Sequence, residues 1–401
     1  MAQRCSFCGE DRRGVDRLVA GSQGVAICGD CARLAVEVSS EPDHHEHGDL
    51  VLTGIGTLVT NDPRHGGGLG IIEGATVAVR QGRITWLGRH RSLPDRYRAL
   101  PELDCDGRMV APALIDAHRH LPTDPTADLA SLTDRVSFEL GRLLEEGATT
   151  VEFRSYGATE ASDDVTALAA MASAADILPV DVVPTVVAGA KGVWRSNGYI
   201  RMLEAVLVPA LSGIARYLDF VLDGLGTTDA VRLAALGRTR GLRPRVHVDR
   251  VEALEAAFDC RAVSVDGMWG LEEAAESVAE SDMVMVSVPA ASWLQGRPDP
   301  ARQMWDAGTV VALGTGCEGG SVPTVPMAMA VAVHHGGLTP EESLWSATRG
   351  GALAIEDPER GMVRPGCVAD LVLLEAETAA DLVDEPGKDP VVRVIKDGSP
   401  L

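Results

Sequence analysis

Four cysteines near the start of the chain and two histidines at 118 and 120 are the residues best spaced for chemistry. Cys5-Ser-Phe-Cys8 and Cys28-Gly-Asp-Cys31 form two CxxC pairs separated by nineteen residues. Each pair can place two thiolates on a tight turn with backbone amides facing sulfur, and two such turns close a tetrahedral zinc site. A site of that kind is structural, because no coordination position stays open for a substrate. A unit of about forty residues is too small to be held by its core alone, so metal binding and folding are expected to be coupled. His118 and His120 end a predicted strand two residues apart, which turns both imidazoles to one face. His247 ends RPRVH, another predicted strand.

Composition narrows the classes. The chain has 401 residues, 45% of them hydrophobic but only 4% aromatic, so a large core must be built from Ala, Val and Leu. A formal charge of −22 argues against nucleic acid as a partner, since phosphate backbones would repel it. No apolar run is long enough to span a bilayer, and MAQRCSFCGEDRR has no apolar signal core. Neither a membrane span nor a leader is therefore expected, and the cytoplasm is the expected compartment. The remaining cysteines (Cys105, Cys260, Cys317, Cys367) are scattered, which suits a reducing compartment better than a disulfide framework. Cys260 and Cys367 are read as core packing, and Cys317 lacks an adjacent histidine to activate it.

The elements that must position these residues are legible as apolar runs. Residues 40–49 (SEPDHHEHGD) are polar and read as a linker, with His44, His45 and His47 solvated. Beyond it, LVLTGIGTLVT, ATVAVRQGRITWLG, ADLVLLE and VVRVIKDG read as short strands broken by Gly. Between these flanks come MVAPALIDAHRH, ATTVEFRS, LPVDVVPTVV, LDFVLDG, RPRVHVD, AVSVDG, DMVMVSVP and TVVALGTG, each followed by an Ala/Leu-rich helical stretch. About eight such repeats predict an α/β fold, a (β/α)8 TIM barrel, with the flanking strands forming one small composite β domain. The expected division is 1–40 zinc knuckle, 41–49 linker, 50–112 with 362–401 β domain, and 113–361 barrel. Barrel sites are built at the C-terminal rim, where HxH would lie. His334 and His335 end an apolar helix at Gly-Gly, where cations are stabilised, and are read as structural.

Residues 4–40, with RCSFCGE and VDRLVAGSQGVAICGDCARLAVEV, resemble the zinc-binding domain that precedes the ATPase of ClpX unfoldases. That resemblance implies a structural zinc on Cys5, Cys8, Cys28 and Cys31, dimerisation, and docking of protein partners and unfolded substrates. No GxxxxGK[ST] loop follows, so no ATPase is expected. Nearly all of 50–400 resembles the amidohydrolase superfamily, through ATVAVRQGRITWLG…DGRMVAPALIDAHRHL and LTPEESLWSATRGGALAIEDPERGMVRPGCVADLVLLEA. The LVTND opening and the RVHVD strand are most similar to the imidazolonepropionases, which hydrolyse a ring C–N bond. The resemblance implies that His118, His120 and His247 hold one barrel metal, zinc or iron(II), whose bound water would ionise more easily. The alternative is three rim histidines satisfied by hydrogen bonds.

Several positions depart from that family pattern. Where strand eight should end in an aspartate that binds metal and takes a proton from water, LGTGCEGG carries Gly316. The strand-six histidine expected after Ser-x-Asp is Gly267, following Asp266. In place of the acid expected three residues beyond the strand-five histidine stands Arg250, and the strand-three polar residue is Lys191. Glu318 and Asp266 are the carboxylates left as catalytic candidates, while Lys191 and Arg250 would make a cationic substrate-binding pocket. Two functions stand open. One is a metal-dependent hydrolase of a cyclic amide-type, non-peptide C–N bond in a small molecule. The other is a catalytically silent barrel that binds a ligand or partner. A homodimer is expected from both resemblances.

Overall fold

The computed structural model describes residues 4–5, 18–20, 26–28, 48–121, 127–158, 160–189, 197–222, 225–316 and 324–401. Cys8, Cys31, His44, His45, His47, Lys191, Cys317 and Glu318 lie outside the described residues.

Each of the eight anticipated apolar runs supplies one barrel strand. They are β1 (Leu114–His120), β2 (Ala148–Arg154), β3 (Asp181–Ala188), β4 (Tyr217–Val221), β5 (Arg243–Val248), β6 (Ser264–Gly267), β7 (Val284–Ser287) and β8 (Val311–Leu313). They form one sheet in sequence order, and every neighbouring pair is parallel. Parallel neighbours need a crossover connection, and helices supply it. These are α1 (Leu129–Glu145), α2 (Ala161–Ala175), α3 (Asn197–Met202), α4 (Thr227–Arg238), α5 (Val251–Cys260), α6 (Ala275–Ala279) and α7 (Ala301–Asp306), and α8 (Val325–His334) follows β8. The segment after β8 closes against β1, where the Gly316 amide donates to the His118 carbonyl at 2.7 Å.

Helix α1 shows why the helices form and dock. Asp128 caps it by accepting from the Ser131 amide at 2.8 Å, which satisfies one of the free donors at the helix start. Leu132, Val136, Leu140 and Leu143 recur along one buried face, the stripe that a core-facing helix needs. The partner helix α2 buries Ala167, Ala170, Met171 and Ala174, mostly small side chains that allow close approach. The aromatic-poor composition is thus used as close helix packing.

The run MVAPALIDAHRH turns out to serve two sheets. Met109–Pro112 pairs antiparallel with Leu371–Leu374, and after Ala113 the chain continues as β1 of the barrel. Strands from both chain ends interleave in the six-stranded sheet, in the order 399–400, 391–396, 371–374, 109–112, 57–59, 71–73. A four-stranded sheet of 83–89, 75–80, 50–53 and 102–104 packs beside it through Leu52, Leu58, Val77, Val110 and Leu371. At the N-terminus, Leu18–Ala20 and Ala26–Cys28 form an antiparallel hairpin. Among the described residues no helix is long and apolar enough to cross a membrane.

Candidate active site

Strand alternation brings the site together at the C-terminal ends of the barrel strands. His118 and His120, two apart on β1, approach so that their Nε2 atoms lie 3.1 Å apart. His247 ends β5, and its Nδ1 makes a short hydrogen bond to Asp266 Oδ1 on β6. Asp266 Oδ2 lies 3.5 Å from His118 Nδ1, an ion-pair separation longer than an ordinary hydrogen bond. The three histidines and Asp266 therefore form one cluster. Arg250 takes the N-cap position of α5, with its guanidinium 2.9 Å from the adjacent Asp249.

Below the histidines lies a charged layer that the sequence motifs do not reveal. Arg154, at the end of β2, is fully buried and reaches Asp266 Oδ2 at 2.9 Å and Asp219 Oδ2 at 2.7 Å. Glu152 sits 3.3 Å from Arg154 Nε and 2.7 Å from Arg245 Nη1. It stands two residues before Arg154 and so shares its face of the strand. Arg245 in turn is two residues before His247, and its guanidinium stacks 3.8 Å from the centroid of the Tyr217 ring, a cation–π contact. The signal is period two: a charge standing two positions before a rim residue, inside an otherwise apolar strand, has to face partners. In this layer three carboxyls meet two guanidiniums, and burial raises the carboxyl of Asp219.

Burial and the nearest charges set the protonation states. Burial alone would raise Asp266, but Arg154, His118 and His247 outweigh it and hold the carboxyl well below its ordinary range, opposite charge winning over desolvation. Burial would likewise lower His247, yet Asp266 raises it. For His120 the balance falls the other way. Burial, with His118 and Arg154 nearby, pushes it well below the ordinary imidazole value and keeps it neutral. Both Asp266 oxygens are engaged, Oδ1 by His247 and Oδ2 by Arg154, so this carboxylate is built to orient. Trp269, on the turn after β6, stands edge-on to His247 at a centroid distance of 5.5 Å. It is anchored by Nε1 donating to Ser292 Oγ at 2.9 Å, with the Arg297 guanidinium 4.5 Å from its ring centroid.

The end of β8 has its own framework. Thr315 donates from its amide (3.0 Å) and hydroxyl (2.7 Å) to the buried Asp116 carboxylate, which also accepts from the His118 amide at 3.3 Å. Gly316 adopts φ +60, and a Cβ built there would collide with Val288 Cγ1. The backbone at the position of the missing aspartate is therefore shaped for glycine.

The donor chemistry suits a metal. His118 and His120 converge through Nε2, and His120 is held neutral. His247 keeps Nε2 available because Nδ1 is tied to Asp266, and a carboxylate is the usual second partner of a metal-binding imidazole. Among the described residues, however, no three His, Cys, Asp or Glu side chains already converge as a metal-holding group. At the N-terminus the Cys28 amide faces Cys5 Sγ at 3.2 Å, and both cysteines are buried, as expected of a thiolate knuckle.

Comparison with known proteins agrees with this architecture. Residues 3–41 match the ClpX C4-type zinc finger, and residues 239–401 match the amidohydrolase family. The chain is 32% identical to an imidazolonepropionase of Streptomyces griseus subsp. griseus, over 86% of this chain and 98% of that enzyme. It is also 32% identical to one of Nocardia farcinica, over 87% and 97%. Among solved structures, a triazine hydrolase variant superposes with a TM-score of 0.71 at 17% identity, covering 88% of this chain and 94% of that one. An ochratoxinase of A. niger superposes with a TM-score of 0.68 at 19% identity, covering 88% and 95%. With sequence identity at this level to imidazolonepropionases across nearly the whole of those enzymes, the chain belongs to the amidohydrolase family, as a homologue of the imidazolonepropionases that carries a ClpX C4-type zinc finger ahead of its barrel.

Proposed function

We propose that the barrel hydrolyses a C–N bond of a small cyclic amide-type substrate, using one metal, zinc or iron(II), held by His118, His120 and His247. The observation that carries this reading is the 3.1 Å approach of the two Nε2 atoms of His118 and His120, in a buried setting that keeps His120 neutral. Hydrolysis adds water across the bond, oxygen to carbon and a proton to the leaving nitrogen. The metal would supply the easier ionisation of that water. Asp266 orients His247, and Arg154 keeps Asp266 ionised. With Gly316 in the place of an acid, Glu318 is the carboxylate proposed to accept the proton. Lys191 and Arg250 are proposed to favour a substrate that carries a negative charge.

The second reading, a barrel that binds without turnover, is favoured by Gly316 itself, whose backbone leaves no room for a ligand side chain. Metal content of the full-length protein separates the two. About two ions per chain, with about one surviving in Cys5→Ala/Cys8→Ala and the barrel ion missing in His118→Ala, supports the hydrolase. A single ion that disappears with Cys5 and Cys8 sinks it. The zinc finger is proposed to dimerise the protein and dock a protein partner. Light scattering of Cys5→Ala/Cys8→Ala should then show loss of the dimer.

A further inference from the structure

A second cleft lies at the opposite end of the barrel from the histidines. It has a volume of about 380 Å³, and its walls include Trp305, Trp345, Thr309 and Glu341. Trp305 lies in the last turn of α7, Thr309 precedes β8, and Glu341 and Trp345 belong to α9 (Pro340–Trp345). The lining therefore sits at the N-terminal ends of the barrel strands, remote from the rim that carries His118.

Two independent features describe what would fit. The two indole rings meet at 86° with centroids 5.3 Å apart, so their planes form a corner, and indole faces attract cations. Glu341 is exposed, and among the described residues no hydrogen bond or ion pair engages its carboxylate. A neighbouring guanidinium, Arg302, is already held by Glu342 at 2.6 Å and Asp306 at 2.5 Å, so it does not neutralise Glu341. Thr309, at the floor of the cleft, is 6% exposed. The cleft volume is in the range of small-molecule sites.

We propose that this cleft, walled by Trp305 and Trp345 and carrying Glu341, binds a small organic ammonium ion. The indole corner takes the alkylated cationic head, and Glu341 balances its charge.

The test uses the full-length protein at low ionic strength, titrated calorimetrically with choline and with its neutral isostere, 3,3-dimethylbutan-1-ol. Saturable choline binding at least about tenfold tighter than the alcohol is expected. Glu341→Gln, a change at an exposed carboxylate, should weaken it about fivefold. Trp345→Leu should weaken it by at least as much, and His118→Ala should leave it unchanged. Equal affinity for the neutral alcohol would overturn the proposal, because the cleft would then be merely apolar. No saturation below about 10 mM choline, an unaltered Glu341→Gln, or loss of binding in His118→Ala would each do the same.

Discussion

Gly316 is the residue on which the chemistry turns, and its surroundings explain why it is not simply an aspartate awaiting restoration. Its φ is +60, and a Cβ there would overlap Val288 Cγ1. A Gly316→Asp chain must therefore strain its backbone and displace a packed valine. Thermal unfolding should show a loss of about 1–3 kcal/mol, with a second change, Val288→Ala, recovering part of it. If Gly316→Asp is as stable as the parent, the account of this turn is wrong. Asp164 offers a separate test by pH. Burial pushes its carboxyl from 3.8 to about 7, although the Gly157 and Ala158 amides, each donating at 3.1 Å, pull the other way, as hydrogen bonds to the charged form do. Since the folded value lies above the unfolded one, the native state binds the extra proton. Stability from this group is then full below about 4 and is lost as pH rises to about 7, by proton linkage. Asp164→Asn does not titrate, so its stability relative to the parent should climb by a few kcal/mol between those pH values. A difference in urea unfolding that stays constant across that range would refute this assignment.

At the scale of elements, the short β8 decides whether the barrel closes. Gly314 lets the strand end pass β1: a Cβ there would lie 2.5 Å from His118 Cβ and 2.8 Å from its amide nitrogen. Gly314→Ala should therefore push β8 away from β1 and tilt His118. A destabilisation of about 1–3 kcal/mol in denaturant unfolding is expected, together with weaker retention of any barrel metal. Ordinary stability with intact metal content would contradict it. The turn beyond β8 is tied to β1 as well. The register of β1 against β2 shifts between Asp116 and Arg119. Asp116 binds Thr315 beyond β8 and lies 3.5 Å from Arg119, so the irregular stretch of β1 helps to close the barrel.

For the molecule as a whole, a buried ionic cluster joins the β sheet to the barrel. Lys396, with a side chain 1% exposed, ends strand 391–396 and sits 2.9 Å from Asp181 on β3 and 3.2 Å from Asp370. Arg360 completes the group, 2.8 Å from the same Asp181 oxygen. Removing one member leaves carboxylates buried without their full complement. Lys396→Met should cost about 3 kcal/mol or more in denaturant unfolding. Lys396→Met/Asp181→Leu should be less damaged than the sum of its single changes. Strict additivity would show that the cluster does not act as a unit.

Periodicity carried the eight barrel strands, the flanking β strands, the cysteine knuckle and the histidine pair, because a two-residue repeat and a CxxC spacing are local facts of the chain. The expected boundary at 112/113 cut MVAPALIDAHRH between the two sheets, but the antiparallel pairing of its first half with Leu371–Leu374 was not legible, since a continuous apolar run looks the same whichever partner it takes. Nor was the Arg154 layer: Glu152, Arg154, Asp219 and Arg245 come from three strands far apart in sequence, and only barrel closure makes each the partner of the next. The sequence by itself determined that His118, His120 and His247 end inward-facing strands. Tertiary structure alone decided that Asp266 holds His247 and that Gly316 has no room for a side chain, because both depend on which strand ends become neighbours around the rim.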